Sequence, residues 1–101
     1  MKIESTLKKY KGFIELPDFL TIKQVRAFED AYFGKETPDA EKSAFISVSV
    51  ERLIPFLRDN VKEWKIDGMP VDIEEYPYKV LRWAAMSFIL LWQDEINIPN
   101  E

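Results

Sequence analysis

Residues 80–96 read VLRWAAMSFILLWQDEI, an apolar stretch with few polar side chains to form the solvated face of a helix. At about 100° per residue, most of its apolar side chains fall in one broad arc, which is typical of the core-facing side of an amphipathic helix. The arc contains Val80, Leu81, Ala84, Ala85, Phe88, Leu91 and Trp92. We therefore predict a helix over this stretch that packs the arc into a protein core.

A second apolar stripe, Trp83, Met86 and Leu90, runs along a different side of the same predicted helix, and we call these three residues the outer stripe. Two interpretations of it are open. A second element of the domain can cover the outer stripe, because apolar stripes at helical spacing are usually core. Alternatively, it is a surface for self-association or for another protein, since Trp and Met are enriched at protein–protein contacts and large exposed apolar patches seldom lack a function.

Two further segments have helical patterns. Thr21 is a favourable N-cap, and Gln24 can complete a capping box, so a helix is predicted from Thr21 to Phe33. Apolar residues recur at helical spacing from Ile46 to Trp64, which predicts another helix over Ala40–Lys62.

The second of these helices has two features that oppose it. Residues 46–50 read ISVSV, which alternates like a strand, and its β-branched residues favour that state. We prefer the helix because the helical spacing continues beyond the short alternation. Pro55 is expected to bend or interrupt the helix, since it removes an amide donor and its ring crowds the carbonyl of Glu51.

Together these patterns predict a mainly α fold: one small domain over residues 1–101 with about three helices, the third over Tyr76–Ile96. At most a short β element is expected, near Phe13–Leu16. Residues 1–11 are expected to be flexible and residues 97–101 to fray. Ile66–Pro70 is typical of a turn, because its Asp-Gly pair supports a positive φ.

The composition of the 101-residue chain limits the classes of function it can serve. Hydrophobic residues make up 47% and aromatic residues 14%, so an ordered core is expected. The chain contains no cysteine and no histidine, which excludes disulfides and thiolate metal sites and removes the commonest metal ligand and general base. We therefore expect a cytoplasmic protein with no cofactor and no metal.

The formal net charge of −4 also bears on the partners. A chain with this charge is repelled by nucleic-acid phosphates and by anionic lipid headgroups, so we expect neither nucleic-acid nor membrane binding. The apolar run Trp83–Trp92 is too short for a transmembrane helix, which needs about 20 residues. Met1–Tyr10 lacks the apolar region of a secretory signal, so the protein is not expected to be secreted.

A search of the sequence for catalytic chemistry finds no candidate residue. The acidic pairs Glu29-Asp30, Glu74-Glu75 and Asp94-Glu95 are adjacent in sequence, so on helices their side chains diverge by about 100°. The serines have no histidine to activate them, and the three glycines are too isolated to form a phosphate-binding loop. We expect that the protein is not an enzyme.

Two segments carry a resemblance to a known family. Residues 13–25 read FIELPDFLTIKQV and lead into the predicted first helix, and Leu53–Trp64 is followed by IDGMP at 66–70. Both segments resemble the tail assembly chaperones of long-tailed bacteriophages, in which a similar "ELPDPLT" segment enters the first helix and a later helix ends in a tryptophan and a polar Gly-x-Pro loop.

The resemblance implies a mainly helical, non-enzymatic protein that coats the tape measure protein before the tail tube polymerises around it. In this family a longer form, made by translational frameshifting, carries an extra domain that recruits tail tube subunits. An outer stripe that binds the tape measure protein, or a second copy of the chain, fits such a role in the host cell cytoplasm. The alternative is a small acidic regulator or inhibitor that binds a host protein through its acidic surface.

Overall fold

The computed structural model describes residues 1–33 and 45–96, with side chains described for all of these except 45–49. Within these ranges the chain forms a three-stranded sheet, three α-helices and a short 3₁₀ turn. In chain order these are β1 (Lys2–Glu4), β2 (Gly12–Glu15), α1 (Ile22–Phe33), α2 (Phe45–Asn60), β3 (Glu63–Ile66), the 3₁₀ turn (Ile73–Glu75) and α3 (Tyr78–Ile96). The mainly α fold class is therefore confirmed.

The sheet is antiparallel in the order β1-β2-β3, and it is larger than the single short element that the sequence indicates. Opposite residues share a face, so Ile14 and its partners Ile3 and Trp64 lie on the side that faces the core. The other face is largely charged, and the Lys2 ammonium lies 4.6 Å from the centre of the Phe13 ring.

Two of the strands differ from the sequence predictions. β1 lies within residues 1–11, which were expected to be flexible, and β3 holds Trp64, which the helical spacing placed at the end of a helix. Both strands pair with β2, from which β3 is far away in sequence and β1 is separated by a short loop. Strands as short as β1 and β3 are stabilised mainly by pairing with a neighbour, and the local pattern of their residues did not indicate that pairing.

Gly12 allows β2 and β3 to approach closely. Its φ is +135°, and a Cβ added there would lie 1.8 Å from the carbonyl oxygen of Lys65. Any other residue would therefore push β3 away from the central strand.

The start of α1 matches its sequence signals. The Thr21 amide donates to the Gln24 side-chain oxygen at 2.9 Å, and the Gln24 amide donates to the Thr21 hydroxyl at 3.2 Å, which completes the capping box. The Gln24 side-chain amide also donates to the Asn60 side-chain oxygen at 3.0 Å. The capping box thereby ties the first turn of α1 to the last residue of α2.

The helical interpretation of residues 46–50 is confirmed, since α2 begins at Phe45; residues 40–44 of the predicted helix lie outside the described residues. The helix continues through Pro55 without interruption and ends at Asn60, two residues before its predicted end. Asn60 also donates from its side-chain amide to the carbonyl of Phe56, one turn earlier, at 2.9 Å.

The connection to α3 contains the predicted turn. Gly68 has a φ of +79°, as expected for the Asp-Gly pair. Asp72 accepts from the Glu74 amide at 3.0 Å and caps the 3₁₀ turn, so α3 begins at Tyr78 and not at Tyr76. The predicted fraying of residues 97–101 lies outside the described residues.

The core lies between the three helices and the inner face of the sheet, and aromatic rings join its parts. The Phe56 ring packs edge-on against Phe28 of α1 and Phe88 of α3, with centroids 5.5 and 5.0 Å apart. The ring centroids of Trp92 and Phe28 are 5.4 Å apart, and the Trp92 indole N–H donates to the Glu29 carboxylate at 2.9 Å. These contacts fix the rotation of α3 about its own axis, and so determine which of its faces remains exposed.

Candidate protein-binding surface

The structure divides the apolar residues of α3 into two sets. Six members of the predicted core arc are buried and the seventh, Trp92, is half-buried. In the outer stripe, Met86 is 40% exposed, Leu90 is 63% exposed and Trp83 is half-buried against the core. The outer stripe is therefore not uniform: Trp83 contributes to packing, whereas Met86 and Leu90 face outward.

The exposed side of α3 continues beyond the outer stripe in both directions. At about 100° per residue, Lys79 and Arg82 lie on the same side as Met86 and Leu90 towards the N-terminus, and Asp94 lies on that side towards the C-terminus. All five side chains are exposed. We call this side, from Lys79 to Asp94, the α3 face; it has an apolar centre between basic and acidic ends.

A groove of about 230 Å³ adjoins the α3 face where α3 packs beside α2 and the end of α1. Its lining is mostly apolar, with Arg82 and Gln93 as polar members. The described lining residues are Tyr32, Val50, Leu53, Arg82, Ala85, Met86, Ile89 and Gln93. Met86 belongs to both the groove and the outer stripe, so the two form one continuous, partly apolar surface.

A second exposed apolar pair occurs where the chain enters α1. Phe19 and Ile22 are 64% and 69% exposed. Ile22 follows the helical spacing of α1, so its sequence pattern alone favours burial. It is exposed because α1 presents Phe28 to the core, with Val25 and Tyr32 half-buried beside it.

Two shallow grooves flank Arg58. The Arg58 guanidinium forms an exposed ion pair with Glu74 at 3.1 Å, which contributes little to stability. Nearby, Tyr76 packs edge-on against Trp64 at 5.1 Å, and burial raises the pKa of its phenol. With a raised pKa, the Tyr76 phenol stays protonated near neutral pH.

The amino-terminal ammonium group joins β1 to the chain that follows β2. It donates to the carboxylate of Glu15, to Asp18 at 3.0 Å and to the carbonyl of Leu16 at 2.8 Å. The carboxylates of Glu15 and Asp18 raise the pKa of the amine, and the ammonium in turn lowers the pKa of Asp18. The groups are exposed, so solvent screens the attraction.

Two further observations concern the part of the chain that the structure describes. Its acidic residues nowhere converge in a group of three or more that could hold a metal ion. None of its helices is both long enough and apolar enough to span a membrane.

Comparison with models of known protein families, with curated proteins and with solved structures gives no match for this chain.

Proposed function

We propose that this protein is a non-enzymatic tail assembly chaperone that binds the tape measure protein through the α3 face. The observation that carries the proposal is the exposure of Met86 and Leu90 on a helix whose opposite side is fully packed. Exposed Met and Leu side chains on a rigid helix suit the recognition of an apolar partner helix, because Met adapts to different neighbours and the helix presents both residues in register.

The shape of the surface supports a helical partner. The groove between α2 and α3 lies beside Met86, with Val50, Leu53 and Ala85 among its apolar lining residues. An apolar helix that lies along the α3 face could insert side chains into this groove at intervals of three or four residues. Arg82 and Gln93 would meet polar groups at the two ends of the contact. The tape measure proteins implied by the resemblance are long and rich in helices, so they would offer this surface the kind of partner helix that it fits.

The segments that resemble tail assembly chaperones lie in the scaffold that supports α3. Residues 13–25 form most of β2 and the first turn of α1, and residues 53–70 form the second half of α2, β3 and the following turn. The two segments contact each other through the β2–β3 pairing and the Gln24–Asn60 hydrogen bond. The quoted residues therefore have structural roles in the scaffold that supports α3.

The test is co-expression with a tape measure protein, which the proposal expects a neighbouring gene to encode. We expect the tape measure protein to remain soluble with the wild-type chain and to copurify with it. Met86→Lys and Leu90→Lys should fold normally but lose the complex, since binding would then desolvate a charge. Val71→Lys is the matched control, because Val71 is fully exposed in a loop and its replacement should leave binding unchanged.

The proposal fails if the tape measure protein stays insoluble with the wild-type chain, or if the Met86→Lys and Leu90→Lys variants retain it as well as Val71→Lys does. Solubility that survives the α3 variants but is lost in Phe19→Lys would place binding at the other exposed apolar pair. If none of these variants loses the tape measure protein's solubility and the chain binds a host protein instead, the acidic regulator would be favoured.

A further inference from the structure

The charged residues near the two ends of α3 are opposite in sign to those that the helix dipole favours there. Lys79 lies in the first turn and Arg82 follows one turn later, whereas Asp94 and Glu95 lie in the last turn. A helix N-terminus carries partial positive charge and favours acidic residues, and a C-terminus favours basic ones. Among the residues that the structure describes, none of these four forms an ion pair that would offset the arrangement. Within one molecule the pattern is unfavourable.

An antiparallel second copy of the same helix would make the pattern favourable. The basic end of one α3 would then lie beside the acidic end of the other, and the two dipoles would oppose each other. The spacing also agrees: Arg82 precedes Met86 by one i+4 step, and Asp94 follows Leu90 by one i+4 step. If the two-fold axis crosses the exposed side of α3 at the level of residue 88, Met86 of one copy faces Leu90 of the other, and Arg82 faces Asp94.

We propose that two copies of this chain form an antiparallel dimer through the ridge Arg82, Met86, Leu90 and Asp94. Each residue is one i+4 step from the next, so together they form an i±4n ridge of the kind that packs into the matching groove of another helix at a crossing angle of about 50°. Two Met–Leu contacts form the apolar centre of the interface, and two Arg–Asp pairs close its ends. A two-fold interface needs a self-complementary surface, and this ridge is one.

The ridge of four side chains is small beside the roughly 20–30 residues that each partner contributes to a standard interface. Stable interfaces bury about 800 Å² per partner, and a single helical ridge is well below this. The dimer is therefore weak and exchanges with monomer. This inference does not rest on the proposed function. The two are linked, however, because the dimer covers Met86 and Leu90, so a helix of the tape measure protein must displace the second copy in order to bind.

Sedimentation velocity over a wide range of protein concentration tests the dimer and its pairing. The wild-type chain should shift from monomer to dimer as concentration rises. Arg82→Asp and Asp94→Arg should each weaken the dimer at least tenfold, because each places like charges opposite one another. The double variant Arg82→Asp/Asp94→Arg should recover wild-type association. Arg52→Asp on α2 is the control for net charge and should leave the dissociation constant unchanged.

Cross-linking tests the register separately. The chain has no cysteine, so single cysteines can be introduced without interference. M86C and L90C, mixed and mildly oxidised, should form a mixed disulfide faster than either variant forms a disulfide with itself. A wild-type chain that stays monomeric at all concentrations, a double variant as weak as the single ones, or cross-linking without preference for the mixed pair would each overturn the proposal. Asp94→Arg also controls for misfolding as the cause of a weaker dimer, because a cation near a helix C-terminus stabilises the helix.

Discussion

At the scale of single residues, Gly12 and Gly68 both have positive φ but differ in surroundings. A Cβ at Gly12 would lie 1.8 Å from the Lys65 carbonyl oxygen, whereas one at Gly68 would meet nothing within 4 Å. We expect Gly12→Ala to lower the free energy of unfolding by at least about 3 kcal/mol, because strain and the clash add. Gly68→Ala should lower it by about 1–2 kcal/mol, the strain of the left-handed conformation alone. Urea unfolding of both variants measures the difference; equal losses would contradict the close β2–β3 approach.

Phe88 and Met86 lie two positions apart on α3 and should respond differently to mutation. Phe88 is fully buried, so Phe88→Ala should leave a cavity and lower the free energy of unfolding by about 3–5 kcal/mol. Met86→Lys should change it by no more than about 0.5 kcal/mol, because the side chain is 40% exposed. Thermal melts at a concentration where the chain is monomeric compare the two. Unfolding by Met86→Lys as severe as that by Phe88→Ala would make the outer stripe ordinary core.

The Tyr76 phenol should make stability depend on alkaline pH. Burial raises its pKa in the folded state, so the folded chain keeps the proton at pH values where the unfolded chain releases it. The stabilising contribution is therefore complete below the unfolded pKa of about 10 and is lost as pH rises through the folded pKa. Tyr76→Phe should show a shallower alkaline decline of thermal stability than the wild-type chain, and identical declines would count against this effect.

At the scale of elements, the capping box at the start of α1 should contribute measurably to stability. Thr21 accepts from the Gln24 amide, and the same Gln24 side chain bonds to Asn60. Thr21→Ala should lower the free energy of unfolding by about 1 kcal/mol, as is typical for loss of an N-cap. Lys23→Ala, at an exposed neighbouring position, serves as the control and should have little effect. Denaturant midpoints of the two variants that coincide would show that the cap is not significant.

At the scale of the whole molecule, stability should be independent of metal ions. The chain has no histidine or cysteine, and the acidic residues in its described part form no cluster of three or more. A strong chelator should therefore leave the melting temperature unchanged. Calorimetry with and without the chelator checks this, with a known metalloprotein as the positive control; a clear fall in melting temperature would reveal a structural metal.

The sequence alone determined the features that depend on neighbours within a few positions. The capping box at Thr21, the turn at Gly68, the three helices and the core arc of α3 follow from helical periodicity and from local hydrogen bonds. Only the tertiary structure decided the pairing of β1 and β3 with β2 and the division of the outer stripe into a packed Trp83 and exposed Met86 and Leu90. Strand pairing and exposure depend on contacts between different segments of the chain, and periodicity within one segment carries no information about which other segment will cover it.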